Sequence, residues 1–130
     1  MGEMIQDEMD EIVLKGMRFF AYHGVFPEEQ KLGQRFTVNL RLQLDLSTPG
    51  RTDDVKDTVD YGQVYERVQT IMEGGPFRLL ETAASRIADA LLQSFPSLSS
   101  VKVEIEKPSA PIAGIFDSVG VAIHRKRDGS

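Results

Sequence analysis

The stretch 36-FTVNLRLQLDL-46 decides the fold class of this chain. Apolar side chains occupy every second position, and polar side chains fill the positions between them. A period of two residues is typical of a β-strand with one buried face and one polar face. Parallel strands tend to be apolar on both faces, so this alternation also favours an antiparallel sheet. The apolar positions are Phe36, Val38, Leu40, Leu42, Leu44 and Leu46.

Three further segments have the character of strands. The apolar run EIVLKGMRFFAY (11–22) comes first and is followed by the loop HGVFPEEQKLG (23–33). Near the other end of the chain, residues 101–107 and 118–125 are predicted to form two closing strands. Four strands are therefore expected, two before and two after the middle of the chain.

Helical periodicity replaces the alternation in the middle of the chain. After the polar connection STPGRTDDVKDTV (47–59), Asp60 is predicted as a helix N-cap with Gln63 three residues on, and Gly74 and Gly75 end that helix. A second helix is predicted from about residue 76 to 95, where Pro96 stops it. The predicted buried positions are Tyr61, Val64, Tyr65, Val68, Ile71 and Met72 in the first helix, and Leu80, Ala83, Ala84, Ile87, Ala88, Leu91 and Leu92 in the second.

The order strand, strand, helix, helix, strand, strand predicts an α+β fold. Two helices would cover one face of a four-stranded antiparallel sheet. The second strand, if it lay at an edge, would expose many unpaired backbone groups, and pairing between subunits would cover them. We therefore expect a homo-oligomer. The uncovered sheet face is predicted to carry Thr37, Asn39, Arg41, Gln43, Glu104 and Glu106.

Composition excludes several classes of function. The 130 residues carry a net charge of −5, which disfavours binding to nucleic acid or to an anionic membrane surface. There is no cysteine and there are only two histidines, His23 and His124, so we expect neither a disulfide nor a metal site, and a cytoplasmic location. No signature of a bound cofactor is present. We expect tails at 1–10 and 128–130 around one domain at 11–127, without a signal peptide or membrane span.

Five side chains are candidates for chemistry, although each has an ordinary structural explanation. Glu81 is a first-turn acid of a helix, and Lys107 is a lysine at a strand end before Pro108. Tyr61 belongs to an apolar stripe, Glu29 is a loop acid, and His23 is more often structural than catalytic. A carboxylate near an apolar surface binds a flat heterocycle through two N–H bonds, and a positioned lysine or tyrosine transfers protons. The residue patterns leave the reaction open.

Four segments together resemble the dihydroneopterin aldolase family. They are LKGMRFFAYHGVFPEEQKLGQRFTVNL, GRTDDVKDTVDYGQVYERV, LLETAASRIADALL and VEIEKPSAPIAGIFDSVGVAI, which span roughly residues 12–125 in the family's order. The resemblance implies the tunnelling fold, in which subunits assemble into barrels. It also implies a retro-aldol cleavage in folate biosynthesis. 7,8-Dihydroneopterin gives 6-hydroxymethyl-7,8-dihydropterin and glycolaldehyde, without metal, cofactor or Schiff base, and with epimerisation at the 2′ carbon as a side activity.

The resemblance also implies residue roles. Glu81 aligns with the anchor of the pterin ring, with Leu80 in the pocket wall, while Val59 and Asp60 lend backbone contacts. Lys107, Glu29 and Tyr61 align with the catalytic lysine, the loop acid of the proton-transfer network and the tyrosine that supports protonation. In the family the site lies between subunits, Tyr61 and its preceding loop coming from the neighbour, in octamers of two stacked four-chain rings. Ala113 stands where many relatives have proline.

Two other functions remain open at this point. One is a dihydroneopterin epimerase, acting on the triphosphate, which would favour basic residues near the pocket mouth. The sequence offers only HRKR (124–127) as a basic cluster. The other is a pterin-binding oligomer without catalysis, which would need Glu81 but not Lys107, Tyr61 and Glu29 together. Zinc-dependent pterin enzymes of the same fold are disfavoured by the number of histidines.

Overall fold

The computed structural model describes residues 9–127, and the remainder of both predicted tails lies outside the described residues. Asp10 is paired to the domain, because its backbone carbonyl accepts from the Leu44 N–H at 3.1 Å and its carboxylate accepts from the Leu46 N–H at 3.0 Å. The elements in chain order are β1 (Glu11–Ala21), α1 (Pro27–Leu32), β2 (Gln34–Gln43), α2 (Ser47–Thr52), a 3₁₀ turn (Val55–Asp57), α3 (Tyr61–Met72), α4 (Leu80–Ser94), β3 (Ser100–Lys107) and β4 (Val119–Lys126).

The four strands form one antiparallel sheet in the order β1-β2-β3-β4. The predicted α+β class is therefore confirmed. β2 is an interior strand, hydrogen-bonded on both sides. It therefore has no exposed edge that a second subunit would need to cover. The free edges belong to β1 and β4, because the connection through α3 and α4 returns the chain beside β2 rather than beyond β1.

The core lies between one sheet face and the two long helices. α3 packs on β1 and on α4, and α4 packs on β3 and β4. The alternating side chains of β2 and β3 are fully buried, as the period of two predicts. Each large apolar side chain removed from water contributes about 1.5–3 kcal/mol to folding. The largest fully buried apolar residues are Phe36, Val38, Leu40, Leu42, Val64, Val68, Met72, Ile87, Leu91, Leu98 and Ile105.

The opposite sheet face is polar and connected by hydrogen bonds. The Asn39 amide accepts from the Gly16 N–H at 2.7 Å and donates to Glu104 at 3.0 Å. Gly16 has φ +72° and lies where the β1–β2 register shifts, so a residue without a side chain suits this bulge. Arg41 forms an ion pair with Glu11 at 2.8 Å on the same face.

Three local predictions were wrong. Tyr61 is 68% exposed and Tyr65 is 37% exposed, so these two positions of the predicted apolar stripe of α3 are not part of the core. The second long helix begins at Leu80 rather than near residue 76, because the backbone of Phe77 bonds to His23 and Gly24 instead of continuing a helix. The loop 23–33 and the connection 47–59 contain the short helices α1 and α2, which are too short to show a period.

Candidate active site

A cavity of about 220 Å³ lies where the loop after β1, the start of α4 and the adjoining ends of β3 and β4 meet. Four of the seven residues predicted for the site line it, although they are far apart in sequence. They are Glu29, Leu80, Glu81 and Lys107. The sheet register brings the end of β3 beside the start of β4, and α4 lies over both strands. The antiparallel topology therefore creates this cavity from distant segments.

Lys107 and Glu29 form an ion pair inside the cavity. The Lys107 ammonium donates to Glu29 Oε2 at 2.6 Å, and the two side chains are only 11% and 12% exposed. Burial raises the pKa of Glu29, but hydrogen bonds from Lys107 and the Phe26 backbone, together with the charge on Lys107, lower it by more. The net effect holds the pKa of Glu29 below its ordinary value, so Glu29 is an ionised acceptor at neutral pH. The pair supplies a positioned proton donor and a base.

Glu29 is held in this orientation by the first turn of α1. Glu29 Oε1 accepts from the Phe26 N–H at 3.3 Å, which satisfies a free donor at the helix start. Gly24 makes room for it: a Cβ on Gly24 would lie 2.5 Å from Glu29 Cβ and 2.6 Å from Oε1. Gly24 has φ +156°, a conformation that favours glycine. The absence of a side chain at Gly24 therefore lets the loop approach Glu29 closely, a contact that exists only in the folded chain.

Gly24→Ala is expected to lower kcat at least tenfold, because the new Cβ pushes Glu29 off Lys107 and removes a positioned acid–base pair. The measurements are steady-state catalytic turnover and thermal unfolding. Gly50→Ala is the matched control, since a Cβ on exposed Gly50 meets nothing within 4 Å. Equal kcat in the two variants would show that the close packing of Gly24 on Glu29 has no catalytic consequence.

Glu81 and Leu80 form the opposite wall of the cavity. They are the first two residues of α4, with Leu80 buried and the Glu81 side chain open to solvent. Apolar Val25, Leu79 and Val121 also line the cavity. A flat heterocycle placed there would have apolar contact on its faces and a carboxylate to accept two parallel N–H bonds at its edge.

The other three predicted residues lie elsewhere in the chain. Val59 is 5% exposed and belongs to the core. Asp60 caps α3, its carboxylate accepting from the Gly62 N–H at 2.8 Å, as the sequence predicted. Tyr61 follows, exposed on the surface, and none of the three lines the cavity. One chain thus brings together four of the seven residues and leaves Val59, Asp60 and Tyr61 apart from them.

Several cavity residues were missed by sequence reasoning. Gly24, Arg78 and Gly120 all line the cavity. A Cβ on Gly120 would lie 2.3 Å from the Ile105 carbonyl oxygen, so β3 and β4 approach there only because Gly120 has no side chain. Nothing in a single sequence marks that glycine, since the contact exists only once the strands pair.

Neither a metal-binding cluster nor a membrane-spanning helix is found within residues 9–127. Across residues 9–127, no cluster of three or more histidine, cysteine, aspartate or glutamate side chains is placed to hold a metal ion. Within the same residues, no helix is long and apolar enough to cross a membrane.

Comparison with known proteins gives a consistent result. Residues 12–124 match the protein-family model described as dihydroneopterin aldolase. The dihydroneopterin aldolase of Bacillus subtilis is 46% identical over 119 residues, which cover 92% of this chain and 99% of that protein. The structure of the E. coli dihydroneopterin aldolase in complex with neopterin superposes with a TM-score of 0.82 at 29% identity, covering 90% and 99% of the two chains. A Burkholderia dihydroneopterin aldolase bound to guanine superposes with a TM-score of 0.76 at 27% identity and covers 94% of each chain.

Proposed function

Because this chain belongs to the dihydroneopterin aldolase family, we propose that its cavity binds 7,8-dihydroneopterin and that Lys107 and Glu29 act on the bound side chain. The family's reaction is a retro-aldol cleavage, so the chain is an aldehyde-lyase of folate biosynthesis. The observation that carries the residue assignment is the 2.6 Å ion pair between Lys107 and Glu29 in a cavity that Glu81 also lines.

Glu81 is the proposed anchor of the pterin ring. Its carboxylate would accept two hydrogen bonds, from the 2-amino group and from the adjacent ring N–H. Leu80 and the other apolar residues of the wall would contact the ring face. The neopterin and guanine bound by the E. coli and Burkholderia relatives share this donor edge, which supports the assignment. Anchoring the ring at Glu81 directs the trihydroxypropyl side chain toward Lys107 and Glu29.

Lys107 and Glu29 would move the protons. The 2′-hydroxyl proton passes, through an ordered water, to the pair. The C1′–C2′ bond then breaks, C2′ becomes the carbonyl carbon of glycolaldehyde, and the bonding electrons enter the dihydropterin ring, which serves as the electron sink. Return of a proton to C1′ gives 6-hydroxymethyl-7,8-dihydropterin. Re-addition of glycolaldehyde from its other face would give the 2′ epimer, so we propose epimerisation as a side reaction.

Tyr61, Val59 and Asp60 would reach this site from a neighbouring subunit. The cavity of one chain is about 220 Å³, below the roughly 300 Å³ at which ligand pockets usually begin. A second hollow of about 530 Å³ adjoins it at Glu29 and has Phe26 and Leu32 in its wall. The Tyr61 ring is exposed on its own chain and would complete the site in a neighbour. We propose the family's octamer of two stacked rings as the assembly.

The direct test of the function is incubation of the purified protein with 7,8-dihydroneopterin and no added metal, followed by separation of the products. We expect 6-hydroxymethyl-7,8-dihydropterin and glycolaldehyde in equal amounts. Dihydromonapterin as the only product would instead make the protein an epimerase. Substrate that binds but stays unchanged would make it a pterin-binding protein without catalysis.

Mixing two inactive variants tests the shared site. Lys107→Ala and Tyr61→Phe oligomers, dissociated together and reassembled, are expected to regain roughly a quarter of wild-type activity, because some sites then combine an intact Lys107 with a neighbour's intact Tyr61. The measurement is turnover before and after mixing.

The control for this experiment mixes Lys107→Ala with Glu29→Ala. Both residues lie on one chain's side of the site, so no arrangement of these two variants restores an intact site. Recovery in both mixtures, or in neither, would contradict a site shared between subunits.

A further inference from the structure

We propose that His23 is a positioning residue for the pterin pocket, which sets the segment leading into Glu81 by accepting a hydrogen bond from the Phe77 backbone. The proposal rests on Glu81 being the ring anchor, as proposed above. His23 contacts no proposed substrate atom and does not line the cavity. Its effect would be transmitted through the backbone.

The His23 ring is fully enclosed and bonded at both nitrogens. It is 1% exposed, stacks on Phe77 with ring centroids 5.2 Å apart, and meets Phe36 edge to face at 5.3 Å. Nδ1 accepts from the Phe77 N–H at 2.9 Å, and Nε2 lies 2.8 Å from the Met72 carbonyl oxygen. A backbone N–H only donates and a carbonyl only accepts, so the ring is neutral, with its proton on Nε2. Burial lowers the pKa of His23 more than the Met72 bond raises it, in keeping with a neutral ring.

The two bonds of His23 hold different parts of the chain. Met72 is the last residue of α3 and does not line the cavity. Phe77 lies in the connection between α3 and α4, one residue before Arg78 and four before Glu81, both of which line it. The bond at Nε2 therefore fixes a helix end, whereas the bond at Nδ1 fixes the segment that leads into Glu81.

The same connection is bonded a second time, next to the proton-transfer pair. The Gly24 N–H donates to the Phe77 carbonyl at 2.9 Å, so both polar groups of the Phe77 backbone bond to the adjacent residues His23 and Gly24. Gly24 in turn packs on the Glu29 side chain. His23 and Gly24 thus link the wall that carries Glu81 to the wall that carries Glu29.

Two substitutions at position 23 test the two hydrogen bonds of the ring separately. Asparagine at position 23 retains an acceptor oxygen near the place of Nδ1, and glutamine retains a donor near the place of Nε2. Both remove the aromatic ring, so both lose core packing. His23→Gln is expected to raise the Kd for neopterin about tenfold, whereas His23→Asn raises it less than threefold. In turnover of dihydroneopterin, His23→Gln should raise KM with little change in kcat.

A purely structural histidine would give a different pattern. Its variants would lose stability, but their affinity for neopterin would not depend on whether an acceptor remains near the place of Nδ1. Leu98→Ala is the control, because Leu98 is fully buried just before β3, far from Lys107 at the other end of that strand. It should lower the unfolding temperature and leave the neopterin Kd unchanged. The proposal would be overturned if His23→Asn and His23→Gln had equal Kd values for neopterin, or if His23→Asn bound neopterin more weakly than His23→Gln.

A measurement on the wild-type protein keeps the proposal testable if neither variant folds. Saturation with neopterin is expected to slow hydrogen exchange at the Phe77 amide at least tenfold, since a ligand held by Glu81 stabilises the segment that positions it. Slowed exchange in the first turn of α4 without slowing at Phe77 would refute the link. Failure of the wild-type protein to bind neopterin would instead refute the proposed function, so the two failures are distinguishable.

Discussion

Lys107→Ala is expected to lower kcat by about 10²–10⁴-fold, the range lost when a positioned acid–base group is removed. Binding of neopterin should change less than about threefold, because Glu81, and not Lys107, is the proposed anchor of the ring. Glu29, whose side chain is only 12% exposed in the intact pair, would then lack its cation. Losing one partner of a fully buried pair costs about 3–5 kcal/mol of folding free energy, and this part-buried pair should cost less, so urea unfolding should be measured beside kcat.

The control for Lys107→Ala is Lys102→Ala. Lys102 is on the same strand but on the polar sheet face, exposed to solvent. Its loss should leave both kcat and stability within experimental error of the wild type. Full activity in Lys107→Ala would rule out the assigned mechanism, and a loss confined to neopterin affinity would make Lys107 a binding residue only.

Glu81→Ala is expected to weaken neopterin binding at least a hundredfold. Hydrogen bonds to a charged group contribute about 1.5–3 kcal/mol each, and the carboxylate is proposed to accept two of them from the ring. The Kd from fluorescence titration is the measurement. Turnover of 7,8-dihydroneopterin should fall mainly through KM, because Lys107 and Glu29 remain paired in this variant.

Asp89→Ala is the control for Glu81→Ala. Asp89 is an exposed acid on the same helix, α4, and does not line the cavity. Asp89→Ala removes one negative charge, as Glu81→Ala does, but leaves the proposed anchor intact. Similar losses of affinity in both variants would mean that net charge, and not a specific carboxylate, governs binding, and the ring would have to be anchored elsewhere.

The fold class was predictable because its signal is local. The alternation in 36–46 fixes which face of β2 is buried, and the spacing of Val64, Val68 and Met72 fixes the buried side of α3. Tyr61 was misplaced by the same reasoning. Periodicity indicates which side of a helix is apolar, but it does not indicate which of the apolar positions the rest of the fold covers, and Tyr61 is left 68% exposed.

The candidate site was predictable only through resemblance to a family. From residues alone, Lys107 was an ordinary lysine at a strand end and Glu29 an ordinary loop acid. Their pairing needs β3 to lie beside β2 and the loop after β1 to fold back over that end of the sheet. Contacts across 78 residues of sequence leave no local pattern, and so composition and periodicity give a list of candidates without a geometry.

The sequence by itself determined the layers of this protein: which segments are strands, which are helices, and which face of each is apolar. Those properties follow from the repeat of a single element, which neighbouring residues encode. The tertiary structure alone decided that β2 is interior, that Gly24 and Gly120 lie where a side chain would clash, and that His23 bonds to the segment before Glu81. Each of these depends on the packing of distant segments against one another, and only the folded chain brings those segments within contact distance.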